Sequence, residues 1–264
     1  MPGAVIGGSV AGFRSTGADS DAEAWADQVV INGGTVSAGR LTLVSNFISG
    51  LKADAVWTKC DRFWLEAAEN QPSALTDLVA RELATAINSP TFTVDRGYTG
   101  NSTSNYISTP YNPVTDGVAY VLASAHLGAW IRTVNAVNAD MVGGSDDGNQ
   151  ANWFYSTGTP SFSGSANGGT IDTNNVNTGH QMWTRTGTTT VAAYSNGSSS
   201  GSSGSGSSAI PSLDIYILAQ NAIGSPNNHG GHQLSAFHMG GGLTATDVSN
   251  LFSRLQTYMT AVGA

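Results

Sequence analysis

The stretch "AAYSNGSSSGSSGSGSSAIPSLDIYILAQN", Ala192–Asn221, decides how the chain is divided. Its middle is nearly pure serine and glycine, the composition of a flexible interdomain linker. Both flanks, however, carry the β-branched and aromatic residues of strands. Asn196-Gly197 points to a hairpin, because a type I′ turn needs positive φ at both central residues and Asn-Gly supplies it readily. A hairpin sends the chain straight back. The Ser/Gly run then holds the returning edge strand and a loop, and "IPSLDIYILAQN" continues the same fold. Side chains this small imply an edge that buries little.

The surroundings agree. From Ser89 onward, short runs such as "TFTVDRGYTG", "SNYISTPYNP", "GVAYVLASAHLGAWIRT", "NWFYS", "HQMWTRTGTTTVAAYSNG" and "HQLSAFHMGGG" alternate with turn residues. Repeated short strands of this kind predict an antiparallel sandwich or barrel. "GGGLTATDVSNLFSRLQTYMTAVGA" then closes the chain with a helix over 244–261. Thr244 is its N-cap, Asp247 sits at N3, and Leu243 with Val248 forms a hydrophobic staple. Val248, Leu251, Phe252, Leu255, Tyr258 and Met259 make one apolar stripe that needs a surface to cover.

Residues 19–88 read as helical. "SDAE" (Ser20–Glu23) has the form of a capping box. Ser37 caps a second helix whose Leu41, Val44, Ile48 and Leu51 share a face. In "ADAVWTKCDRFWLEAAEN" the positions of Val56, Cys60, Phe63 and Ala67 predict a third helix, with Cys60 as a small core residue rather than a nucleophile. Pro72–Ala84 is expected to form a fourth. Residues 1–18, glycine-rich and mildly apolar, are expected to form an extended arm packed on its own or a neighbouring copy.

Only 11% of the 264 residues are charged, and the formal net charge is −8. All four glutamates (Glu23, Glu66, Glu69, Glu82) and both lysines (Lys52, Lys59) precede residue 83. No basic patch is present, so nucleic acid is not an expected partner. No apolar span long enough for a membrane and no signal sequence is read, so assembly in a cytoplasm is expected.

The runs "SDAEAWADQVVINGGTVSAGRLTLVSNFISGLKADAVWTKCDRFWLEAAEN", "INSPTFTVDRGYTGNSTSNYISTPYNP" and "SAHLGAWIRT" resemble the N-terminal region of phage and prophage virion proteins. In that group a LamG-like, concanavalin A-like jelly roll follows, and "AYSNG", "SLDIYILAQN" and "GGGLTATDVSNLFSRLQTYM" are similar in order to its later strands and terminal helix. The resemblance covers about residues 19–264. It implies a jelly-roll sandwich over 89–264 behind a helical docking region over 19–88. It also implies a non-enzymatic virion surface protein, a decoration or a tail or fibre component, working among other virion proteins. Copies of the chain itself, with a trimer favoured, are the other expected partners. The alternative is a lectin-like module binding a host surface glycan, and a glycoside hydrolase ranks third.

Chemistry is sparse. Glycoside hydrolysis needs paired carboxylates. After Glu82 there is no glutamate, and the eight later aspartates form no alternating pair on a strand. No catalytic residue and no cofactor is therefore assigned. "GGSDDGNQ" (Gly143–Gln150) offers oxygen ligands of the kind calcium takes but lacks the spaced loop and closing glutamate, so a turn is the better reading. His229, His232 and His238 have no Cys or carboxylate to complete a zinc set. The remaining motif is Trp-x-Arg, which occurs twice. Strand alternation puts Trp130 with Arg132 on one face and Trp183 with Arg185 on one face. Aromatic faces with guanidinium forks suit sugar rings and their polar groups, so these four are the candidate glycan-binding residues. The competing reading makes them core tryptophans and arginines stacked on their own sheet.

Overall fold

Asn196 and Gly197 both adopt positive φ, 49° and 77°, and close a hairpin as their sequence predicts. The computed structural model describes residues 17–135, 138–148, 151–157, 161–173 and 178–264. The expected arm therefore lies outside the described residues up to residue 16.

The helices are α1 (Ser20–Ile31), α2 (Ala38–Ala53), α3 (Gln71–Leu75) and α4 (Ala245–Val262). The early strands are β1 (Cys60–Trp64), β2 (Thr85–Ile87), β3 (Thr91–Thr93), β4 (Gly97–Thr99) and β5 (Tyr106–Ser108). The long central ones are β6 (Ala125–Thr133), β7 (Asn138–Asp146) and β8 (Ala151–Thr157), followed by β9 (Phe162–Ser165) and β10 (Thr170–Asp172). Then come β11 (Gly179–Gly187), β12 (Thr190–Ser195) and β13 (Ser198–Ser203). Last are β14 (Tyr216–Ile217), β15 (Gln220–Ala222), β16 (Ser225–Asn227) and β17 (Gln233–Gly240).

Two sheets form a jelly-roll-like sandwich. One runs β13-β12-β11-β6-β17-β4-β3, with β1 also paired to β17. The other runs β10-β9-β8-β7-β14-β5-β2, with β15 and β16 appended. Pairing is antiparallel except between β15 and β7. The Ser/Gly run supplies β13, an edge strand with no fully buried residue. It is inside one fold, as read.

The first sheet is covered on both faces. Leu127, Ile131, Trp183 and Phe237 point inward against Phe154, Phe162 and Ile217. Met182 and Ala236 point outward against Val44, Ile48, Leu251 and Leu255 of the helices. Burying each large apolar side chain contributes about 1.5–3 kcal/mol, so both faces of this sheet hold apolar interfaces that stabilise the fold.

That double cover explains where the sequence reading goes wrong. Residues 60–64 form a strand, not part of a helix, and every one of them is buried. A strand buried on both faces loses its two-residue alternation and mimics a buried helix. Cys60 is a core residue as expected, and burial pushes its thiol up to about 12. The helix expected over 72–84 shrinks to α3. The cap of α1 is Asp19, whose carboxylate accepts from the Asp21 N–H at 2.9 Å, rather than Ser20. Residue 88 is not a boundary between sheets and helices, since β1 and β2 belong to the two sheets. Ser37 and Thr244 cap α2 and α4 as read, and Thr244 with Asp247 forms the full box.

Asp61 ties the loop before β6 to β1. Its carboxylate accepts from the N–H groups of Val118, Ala119 and Tyr120 at 2.9, 2.8 and 3.0 Å, and from the Tyr111 hydroxyl at 3.1 Å.

Candidate functional site

Pairing between β6 and β11 decides what the four candidate residues can do together. His180 lies opposite Trp130, and Trp183 lies opposite Leu127. Paired residues share a face, so Trp183 is one step out of phase with Trp130. Trp130 and Arg132 emerge on the outer, helix-side face, whereas Trp183 and Arg185 point into the sandwich.

Trp183 and Arg185 are fully buried and leave the candidate set. The Trp183 indole donates to Ile171 O at 3.0 Å and packs on Phe154. Arg185 donates to the carbonyls of Ala166, Gly168, Gly187, Thr188 and Ser205, binding three turns together. Both are structural, as the competing reading has it.

Trp130 and Arg132 instead line a cleft of about 360 Å³ between the outer face of β6 and helix α4. Phe252 and Gln256 of α4 form one wall; Thr178, Gly179 and Asn196 form the other. Trp130 and Phe252 lie nearly parallel, with ring centroids 6.2 Å apart and 12° between planes. Both rings are half-buried. The Arg132 guanidinium is anchored through Nη1, which donates to Gln233 Oε1 at 3.1 Å.

The hairpin turn builds the second wall. Asn196 Oδ1 accepts from the His180 N–H at 2.8 Å, and its Nδ2 donates to Thr178 O at 3.2 Å. Gly179, at φ +98°, leaves room for this: a Cβ there would stand 2.2 Å from Asn196 Oδ1. Gly197 does the same for the opposite wall, since its Cβ would meet the Phe252 ring at 2.8 Å. The cleft therefore sits on rigid elements, with a turn locked by its own hydrogen bonds. Asn196 was legible as a turn residue and Phe252 as part of an apolar stripe. Their meeting over Trp130 depends on the packing of α4, which no local pattern shows.

The other motifs do not converge. His229 contacts Asn105 O, His232 Nδ1 accepts from the Asn135 N–H, and His238 bonds His180 across the outer face of the sheet. A register shift in β17 between Leu234 and Ala236 separates His232 from His238. Within "GGSDDGNQ", Gly143–Asp146 end strand β7 rather than form a turn; Asp146 accepts from Gly148 N–H in the turn that follows, and Asp147 accepts from the distant Ser212 N–H; its last two residues lie outside the described residues. Among the described residues no group of three or more His, Cys, Asp or Glu is placed to hold a metal ion. Among them also, no helix is long and apolar enough to cross a membrane.

No protein-family model matches the sequence, and no curated protein matches it. Similar solved structures exist. Trypanosoma rangeli sialidase in complex with sialic acid aligns with TM-score 0.55 and 13% identity, covering 84% of this chain and 40% of that one. The same enzyme with 2,3-difluorosialic acid, a covalent intermediate, gives 0.55 and 12% over 83% and 40%. Domain 4 of AbnA, a GH43 arabinanase from Geobacillus stearothermophilus in complex with arabinotriose, gives 0.49 and 14% over 73% and 98%. The chain thus spans about 40% of the sialidase it matches. At these identities the likeness is one of fold, a β-sandwich.

Proposed function

We propose that the chain is a non-enzymatic saccharide-binding sandwich that seats a sugar in the Trp130 cleft. The observation that carries this is the cleft itself. An aromatic pair, two amide side chains and an anchored guanidinium converge on a concavity of about 360 Å³. Aromatic rings offer the apolar C–H faces of a sugar a flat partner, and amides and guanidinium meet its hydroxyls. The sialidase structure of similar fold was solved with sialic acid bound, which supports the reading. A non-enzymatic role is favoured because no Asp or Glu side chain is among the described residues lining the cleft, and hydrolysis would need two. Stacking contributes on the order of 1 kcal/mol per ring beyond area burial, so single sites would bind weakly and gain strength through many copies.

The resemblance of residues 19–264 to virion proteins supplies the setting: the surface of a phage particle, as a decoration or a tail or fibre component beside other virion proteins. One surface feature supports contact with sister copies, a trimer being the expected assembly. Val114, Val118, Val121 and Leu122, exposed by 52, 88, 49 and 39%, crowd the loop that Asp61 holds in place. Imaging intact particles would locate the protein.

The binding test is Trp130→Ala. It should abolish saccharide binding on a glycan array while thermal unfolding stays cooperative. Undiminished binding would reject the cleft, and release of new reducing ends would reject the non-enzymatic role.

A further inference from the structure

Among the described residues the cations of this acidic chain are nearly all spoken for. Arg40 pairs with Asp95, Lys52 with Asp19 and Asp21, and Lys59 with Asp247. Arg62 pairs with Glu82, Arg81 with Asp21, and Arg254 with Asp54. Arg185 is buried on carbonyls, and Arg96 donates to Asp95 O and Val262 O. Arg132, like Arg96 and Arg185, has no carboxylate partner, but unlike them it lines the cleft. Among the described residues no ion pair is found for it; its one bond is to the neutral Gln233 amide. Nε is shielded and without a partner, while Nη2 is open and without one. Among the described residues it is also the only charged side chain lining the cleft.

An unneutralised guanidinium fixed in a cleft, in a chain of net charge −8, selects for negative charge in what binds there. Bonds between guanidinium and carboxylate or sulfate oxygens are charge-assisted and stronger than those to hydroxyls. The Gln233 anchor matters because it holds the group in place before ligand arrives, so little side-chain freedom is lost on binding. We propose that the cleft recognises an anionic saccharide, with the carboxylate or sulfate on Arg132 Nη2 and the ring on Trp130. This inference rests on the saccharide reading above and adds the charge to it.

The test uses the full chain and defined small sugars followed by ligand-observed NMR: glucuronate, N-acetylneuraminate, the methyl ester of each, glucose 6-sulfate, and glucose. Esterification removes the charge and keeps the ring. At least one anionic sugar should bind roughly tenfold more tightly than its uncharged counterpart, methyl ester or glucose. Added salt should weaken it through screening, and Arg132→Gln should erase the preference while leaving residual binding of the neutral forms. The carboxylate and sulfate arms identify which anion is taken. Equal affinity for acid and ester, both lost in Trp130→Ala, would overturn the anionic inference and leave the saccharide reading standing. A charge preference that survives Arg132→Gln would overturn the assignment to this residue. Absence of binding by every sugar would overturn the inference together with the reading beneath it.

Discussion

Three histidines under the helical layer should make the fold lose stability in mild acid. His126, His180 and His238 lie on β6, β11 and β17, facing outward, and all are fully buried. His180 Nε2 and His238 Nε2 stand 2.8 Å apart, so one donates to the other. His126 Nδ1 donates to Gly241 O at 2.5 Å. Phe63 covers His238 and Phe252 covers His180. Burial lowers His126 to about 4 and His180 to about 3; the same burial, with the neighbouring imidazoles, holds His238 well below the usual range. In the unfolded chain each titrates near 6.5. Below that pH the unfolded state takes up protons that the folded state refuses, so stability falls as pH falls, until the folded values are reached. Between pH 7 and 5 a histidine with a folded value well under 5 costs about 2 kcal/mol, from about 1.4 kcal/mol per unit. Glu66 and Asp77 act oppositely, because burial raises Glu66 well above its usual value and Asp77 to about 6. The perturbation must therefore be differential. His180→Gln keeps a polar partner for His238 but removes one titration. Denaturant unfolding of both proteins at pH 7 and pH 5 should show the wild type losing about 2 kcal/mol more than the variant over that interval. Parallel losses would mean that His180 is not held neutral in the fold, and the reasoning would be refuted.

Other outcomes follow from the same contacts. Asp61→Ala strands three backbone N–H groups and the Tyr111 hydroxyl; it should cost at least about 3 kcal/mol in denaturant unfolding, and a loss below about 1 kcal/mol would contradict the clamp. Gly197→Ala places a Cβ 2.8 Å from the Phe252 ring at φ +77°, and should lower stability by about 1–2 kcal/mol and weaken saccharide binding together. Thr244→Ala removes half of the α4 capping box and should cost about 1 kcal/mol by thermal melting. Cleavage between Gly204 and Ser208 should leave both fragments associated on a sizing column, since β17 is paired with β6 across the nick; separate folding of the two pieces would reject the single sandwich.

Local chemistry was legible where one short segment determines the outcome. Asn196-Gly197, Ser37 and the Thr244 box each solve a backbone problem within a few residues, and each is found as read. Strand parity was equally legible: Trp130 does share a face with Arg132, and Trp183 with Arg185. What parity cannot supply is which residue sits opposite which. The pairing of His180 with Trp130 turns the two motifs to opposite faces, and that register is set by contacts far apart in sequence. β1 failed for the related reason that a strand between two cores carries no alternation. Phe252 and Gln256 join the site only because α4 folds back across β6.

The most direct test watches the indole N–H signals of the six tryptophans during titration with glucuronate, N-acetylneuraminate, their methyl esters and glucose 6-sulfate. The account predicts a saturable shift of the Trp130 indole, with buried Trp25, Trp64 and Trp183 unmoved, and loss of that shift in Trp130→Phe. A ligand that binds while the Trp130 indole stays in place, or five sugars that leave all six signals untouched at tens of millimolar, would contradict it.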